Sequence, residues 1–211
     1  MPQTKEERNR RRKLKRHLDA IASRDADVAA GLEAVGYPAP RVRPAGFETF
    51  LNIIVSQQIS TEAARTISAR VADLLPQMNA VGLLACSEKQ LRAAGLSGRK
   101  VEYAVGMAEA IVSGEFDVDG LDTLDDESAI TQIVNLRGFG RWSAEIYLMF
   151  SLGRRDVFPA DDLALQLALQ RLKNLPDRPT PKQAREVTET WKPYRSAASL
   201  FLWHFYRGAP A

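Results

Sequence analysis

Apolar positions recur along this chain at steps of three and four, the spacing that lays one hydrophobic stripe along an α-helix. After Ser60, the residues Ala64, Ile67, Val71 and Leu74 share a face, with Glu62 in the first turn. Ser87 and Gln90 stand at capping-box spacing, before a short helix stopped by Gly95. Ser97 opens a helix carrying Val101, Val105, Ala108 and Ile111 as far as Gly114. Asp125 caps another that ends near Asn135, and a further helix fills 142–152. Asp161 opens the apolar run of Leu163, Leu165, Leu167 and Leu169. Thr180-Pro181-Lys182-Gln183 sets a cap, a first-position proline and an N3 glutamine in order. The last helix starts after Pro193 and holds Leu200, Phe201, Trp203 and Phe205. One N-terminal helix is expected over about 5–35, and no alternating strand pattern survives inspection. The predicted fold class is all-α.

Two Pro- or Gly-containing breaks, at 37–46 and 153–160, organise these helices. They predict two helical lobes with a cleft between them, the two chain ends sharing one lobe. Residues 1–45 form a basic arm and helix of the terminal lobe, 46–152 the central lobe, and 153–211 complete the terminal lobe. With 211 residues and 45% hydrophobic content, the chain can bury a core without staples.

Composition then removes several classes of function. A single cysteine, Cys86, excludes a disulfide scaffold, a Cys-rich zinc site and a four-cysteine iron–sulfur cluster within the chain. No apolar run approaches a membrane span, the N-terminus has no signal-peptide core, and Glu6 and Glu7 fit poorly with a transit peptide. The expectation is a soluble protein of a reducing cytoplasm, monomeric and without a membrane partner. Of 29 basic and 26 acidic side chains, eight and two lie in residues 1–16, which leaves 21 against 24 and a balance of −3 elsewhere. The basic character belongs to the N-terminal segment, for which a solvated helix start is the simpler reading and a phosphate-binding segment the other.

The candidate chemistry starts at Leu136-Arg137-Gly138-Phe139-Gly140-Arg141-Trp142-Ser143-Ala144, between two helical segments. Two glycines one residue apart allow a tight turn with positive φ and a close approach of backbone to another molecule. The amides opening the next helix then make an anion site beside the positive end of its dipole. From Gly-x-Gly alone, an ordinary helix–turn–helix corner is the simpler reading.

The longer string resembles the helix-hairpin-helix signature. About twenty residues on comes Val157-Phe158-Pro159-Ala160-Asp161-Asp162-Leu163, and the pair resembles the helix-hairpin-helix DNA glycosylase superfamily. Upstream, Ile54-Val55-Ser56-Gln57-Gln58-Ile59-Ser60 is similar to that family's glutamine-bearing connection. Downstream, Trp191-Lys192-Pro193-Tyr194-Arg195-Ser196 and Trp203 resemble the C-terminal segment of its alkylpurine (3-methyladenine II-type) branch. The resemblance runs from about Phe47 to Tyr206. Too few residues precede Phe47 for the extra N-terminal domain of longer members. Arg137 stands where a proline is common, and the position of the bifunctional relatives' lysine nucleophile is Trp142.

The resemblance implies a monofunctional N-glycosyl hydrolase that removes alkylated purines from duplex DNA in base excision repair, nucleoid-associated if prokaryotic. Asp162 takes the catalytic position, its carboxylate opposing charge on the sugar, while neighbouring Asp161 caps the following helix. Without the resemblance, both aspartates read as caps. Gln58 matches the plug that fills the gap left by a flipped base. Trp142 and Trp203, with Tyr194, match base-pocket positions, where an indole attracts a cationic purine. Gly138, Gly140, Arg137 and Arg141 face the DNA backbone. The carbonyls of Val134, Leu136 and Phe139 correspond to a structural Na⁺ or K⁺ site; no redox cofactor or iron–sulfur cluster is implied, and His17 and His204 stand isolated. Two rival readings are a glycosylase for a deaminated or oxidised purine, and a non-catalytic helix-hairpin-helix DNA-binding module.

Overall fold

The computed structural model describes residues 4–208, all of it helix, turn and loop, with no strand among the described residues. Among the described residues, twelve α-helices follow in order: α1 (Lys5–Ala22), α2 (Ala26–Val35), α3 (Phe47–Ser56), α4 (Thr61–Leu74), α5 (Ala80–Leu84), α6 (Glu88–Ala93), α7 (Gly98–Ser113), α8 (Asp126–Val134), α9 (Arg141–Phe150), α10 (Leu163–Leu172), α11 (Pro181–Val187) and α12 (Arg195–Gly208). They divide into two units. One comprises residues 1–42 and 153–211, and the other residues 43–152.

Capping chemistry sets most of these boundaries. Ser60, Ser97 and Asp125 each turn a side-chain oxygen onto the amide three residues ahead. Ser87–Gln90 and Thr180–Gln183 close reciprocal capping boxes. The single helix expected over 5–35 is two helices. Asp25 leaves helical geometry and accepts the Val28 N–H at 3.2 Å, so the chain restarts there as α2. The expected 142–152 helix runs instead from Arg141 to Phe150, and α5 was not anticipated.

In the unit of residues 43–152, Phe50 lies at the centre. It stacks on Tyr147 at 4.2 Å and meets Phe116 and Phe139 edge-on at 5.4 and 5.5 Å. Phe139 is the apolar residue between the two hairpin glycines, so the hairpin is nailed to this core by its own side chain.

The other unit packs α1, α2, α10, α11 and α12 around Leu18, Ile21, Val28, Leu165, Trp191 and Phe201. Trp191 is fully buried and donates its indole N–H to Asp25 Oδ2 at 2.6 Å. Lys173 Nζ meets both oxygens of the same carboxylate at 2.6 and 2.7 Å. Burial opposes charge on Asp25, but the bonds from Lys173 and Trp191 hold its carboxyl below the usual range. The N-terminal segment is therefore no loose arm from Thr4 onward. It opens on a Thr4–Glu7 capping box and buries Leu14, His17, Leu18 and Ile21.

Candidate active site

Asp162 stands at the junction of loop 153–161 and α10. Four side chains pin the loop from within its own unit. Arg195 forks onto the Asp156 carboxylate, Nε and Nη2 each at 2.9 Å. Ser196 Oγ accepts the Val157 N–H at 3.0 Å, Arg185 Nη1 donates to the Phe158 carbonyl at 3.0 Å, and Gln166 Nε2 donates to the Ala160 carbonyl at 2.7 Å. Sequence reasoning missed these four residues. The only signal for two of them was Arg195-Ser196 inside the string Trp191–Ser196.

The Asp162 side chain is half-buried and fixed from two directions. Its Oδ1 accepts the Leu165 N–H at 3.0 Å and the Trp203 indole N–H at 3.2 Å. Asp162, not Asp161, is thus the N-cap of α10, a correction with a plain cause. The extended backbone of Asp162 (φ −73, ψ 118) aims its carboxylate back at the third amide, whereas Asp161 is exposed and faces Arg185 Nη2 at 3.6 Å. The helix N-terminus and the indole donor together fix the orientation of this carboxylate.

Trp203 is half-buried on α12, and its indole N–H is what links it to Asp162. Tyr194 lies with one ring face stacked on His17, centroids 4.4 Å apart. His17 is accordingly buried rather than isolated, and His204 is held too, its Nε2 2.7 Å from the Val35 carbonyl oxygen.

The hairpin belongs to the other unit. Val134 closes α8, and the Phe139 N–H donates back to the Leu136 carbonyl at 3.1 Å. Gly138 takes φ +94, and a Cβ there would sit 2.4 Å from the Tyr103 ring. Gly140 differs. It is extended (φ −107, ψ 172), nothing lies within 4 Å of its missing Cβ, and it starts α9 without a side-chain cap. Gly140, with no side chain, brings no cap of its own to the N-terminus of α9. Arg141 is held by Glu127, Nη1 and Nη2 at 3.0 and 2.5 Å, and by buried Glu145 through Nε at 3.0 Å. Those bonds, Glu127 foremost, raise its affinity for the proton. Arg137 pairs with Glu102 and is otherwise exposed. Trp142, on the first turn of α9, exposes 43% of its surface, a large apolar area to leave in water.

Gln58 lies in the exposed turn between α3 and α4 at φ +58, a left-handed conformation that a glutamine adopts only under constraint. The constraint comes from its neighbours. Gln57 Nε2 donates to the Gly138 carbonyl at 2.8 Å, and Lys100 Nζ caps the end of α3 at the Val55 carbonyl, 2.7 Å away. The turn bearing Gln58 is thereby tied to the glycine hairpin. Gln57 stood beside Gln58 in the sequence, but nothing marked it as the tether.

The structure thus joins Asp162 to Trp203 in one unit, and the Gln58 turn to the hairpin in the other. A pinned carboxylate and an uncapped glycine hairpin define a class, and comparison with known proteins agrees. The chain belongs to the HhH-GPD superfamily of base excision DNA repair proteins, whose family model matches residues 51–193. Within it, the similarity runs to the alkylpurine branch. DNA-3-methyladenine glycosylase 1 of Schizosaccharomyces pombe is 32% identical over 163 residues, covering 74% of this chain and 71% of the relative. DNA-3-methyladenine glycosylase 2 of Escherichia coli is 28% identical over 194 residues, covering 84% and 65%. The solved structure of the S. pombe 3-methyladenine DNA glycosylase in complex with abasic DNA superposes with a TM-score of 0.78, at 28% identity over 89% of this chain and 95% of that one.

Proposed function

We propose that this protein is a monofunctional DNA glycosylase that removes alkylated purines of the 3-methyladenine and 7-methylguanine type. The observation that carries the reading is the Asp162 carboxylate, held by the Leu165 amide and the Trp203 indole. Breaking an N-glycosidic bond builds positive charge on the sugar, and an oriented carboxylate stabilises it and can position the attacking water. A purine made cationic by alkylation is already a good leaving group, so one carboxylate suffices. The indoles of Trp142 and Trp203 suit an electron-poor base, a contact worth roughly 1–3 kcal/mol. Tyr194, one face taken by His17, has only its other face to offer.

The partner is duplex DNA. The N-terminus of α9, with Gly138 and Gly140 keeping the backbone bare, suits a phosphate. Arg137 and Arg141 support that site; Arg141 does so by bracing α9 through Glu127 and Glu145. Gln58, on its constrained turn, fills the space that a flipped base vacates. The carbonyls of Val134, Leu136 and Phe139 are neutral oxygen donors of the kind Na⁺ or K⁺ accepts, and the cation would stiffen the turn. No redox step is needed. Incubation with methylated DNA and identification of the released bases tests the reading. Free 3-methyladenine or 7-methylguanine supports it, and release of only deaminated or oxidised bases from matched substrates overturns it.

A further inference from the structure

Most basic side chains of the N-terminal helix are exposed to solvent, but two of them join cations from elsewhere in the chain. In the unit of residues 1–42 and 153–211, Arg10 and Lys13 of α1, Arg41 of the connecting loop, and Arg154 and Arg155 of loop 153–161 line one concavity. No Asp or Glu is among its lining residues. Three segments remote in sequence thus bring five cations together. Arg10 pairs with Glu6, and nearby Asp156 is committed to Arg195. His17, buried in the floor, is pushed below the ordinary histidine range by burial and then by Lys13, Arg16 and Arg155. An anion entering the concavity meets cations from all three segments, the exposed Lys13 and Arg155 among them.

We infer that this basic concavity is a second phosphate site, separate from the glycine hairpin, which grips the DNA backbone. The volume, about 140 Å³, falls below the roughly 300 Å³ at which small-molecule pockets begin. It suits one phosphate group entering from an open rim rather than an enclosed metabolite. The choice of DNA as the bearer of that phosphate rests on the glycosylase reading. The site has no part in bond cleavage, so it adds sequence-independent affinity and leaves the excision step alone.

The test is the salt dependence of binding to a short undamaged duplex, which requires no chemistry and so stays separate from the test of glycosylase activity. The variant is Lys13→Gln with Arg155→Gln, both exposed positions; its control is Arg70→Gln with Lys89→Gln, exposed in the other unit. Each phosphate contact contributes about 0.9 to the slope of log K against log salt. Between roughly 50 and 200 mM salt, the parent should therefore lose about 12-fold more affinity than a variant missing two contacts. Single-turnover excision at saturating enzyme should be unchanged in the variant. An unaltered slope, or an equal change in the control pair, overturns the inference. Stabilisation of the parent but not the variant by inorganic phosphate alone, with the DNA slope unmoved, reassigns the concavity to a free anion and also overturns it.

Discussion

The two hairpin glycines look equivalent in sequence, but their structures predict opposite outcomes when each is replaced by alanine. At Gly138, φ is +94 and the new Cβ would lie 2.4 and 2.5 Å from Tyr103 ring carbons. The left-handed backbone costs about 1–2 kcal/mol for a residue with a Cβ. Moving a packed ring aside costs about 1–3 kcal/mol more. Together these give about 2–5 kcal/mol, and for a chain of this size each kcal/mol shifts Tm by roughly 2–4 °C. Gly138→Ala should therefore melt about 4–20 °C below the parent. Gly140→Ala meets open space at φ −107 and should melt within about 2 °C of it. Thermal unfolding followed by circular dichroism reads both. Gly140→Val, which leaves the fold intact but puts a branched side chain where a phosphate would approach, should then lose affinity for every DNA sequence. Equal melting of the two alanine variants would refute the distinction, and undiminished DNA binding by folded Gly140→Val would remove the hairpin from the interface.

Gln58→Ala should bind undamaged duplex almost normally but excise slowly, with a smaller defect when the lesion faces a mismatch and flipping costs less; equal slowing in both contexts would deny it the plug role. Gln57→Ala, which frees the turn from the Gly138 carbonyl, should reproduce part of that defect. With Trp142 in place of a lysine nucleophile, borohydride should trap no covalent protein–DNA adduct, and a strong adduct would overturn the monofunctional reading. His17 binds its proton less readily folded than unfolded, through burial and then Lys13, Arg16 and Arg155. The unfolded chain therefore takes up the proton first, and stability falls as pH drops below about 6.5 until the lowered folded value is passed. The urea midpoint should fall less between pH 7.5 and 5.5 in His17→Phe than in the parent; an identical fall would assign the pH dependence to other groups.

Most helix boundaries were legible because local chemistry writes them. Ser60, Ser87, Ser97, Asp125 and Thr180 act through the amide three residues away, a relation visible in a linear string. The break at 23–25 was harder. The apolar period of α1 carries past it, and Asp25 is fixed as much by Lys173 and Trp191, some 150 residues distant, as by its own turn. Asp161 was expected to cap α10, and the cap is Asp162. Either fits the cap in a linear string, and only the backbone angle at Asp162 shows which carboxylate reaches the Leu165 amide. The unequal glycines are a further case, since nothing local announces that Tyr103 lies against one and open space against the other. The tether from Gln57 to the hairpin spans 81 residues and had no local signature at all.

The proposed chemistry stands or falls on Asp162. Asparagine at this position keeps the size and the capping oxygen of the side chain but removes the negative charge. Single-turnover release of 7-methylguanine and of a neutral lesion by Asp162→Asn, beside Asp161→Asn and the parent, is the direct measurement. Asp162→Asn should remain folded, bind abasic DNA and excise roughly 100-fold or more slowly, the scale of losing one preorganised electrostatic group. The defect should be milder on 7-methylguanine, whose own charge weakens the bond, and Asp161→Asn should stay close to the parent. Excision by Asp162→Asn at the parent rate on both bases would contradict the mechanism and leave a DNA-binding module as the better description.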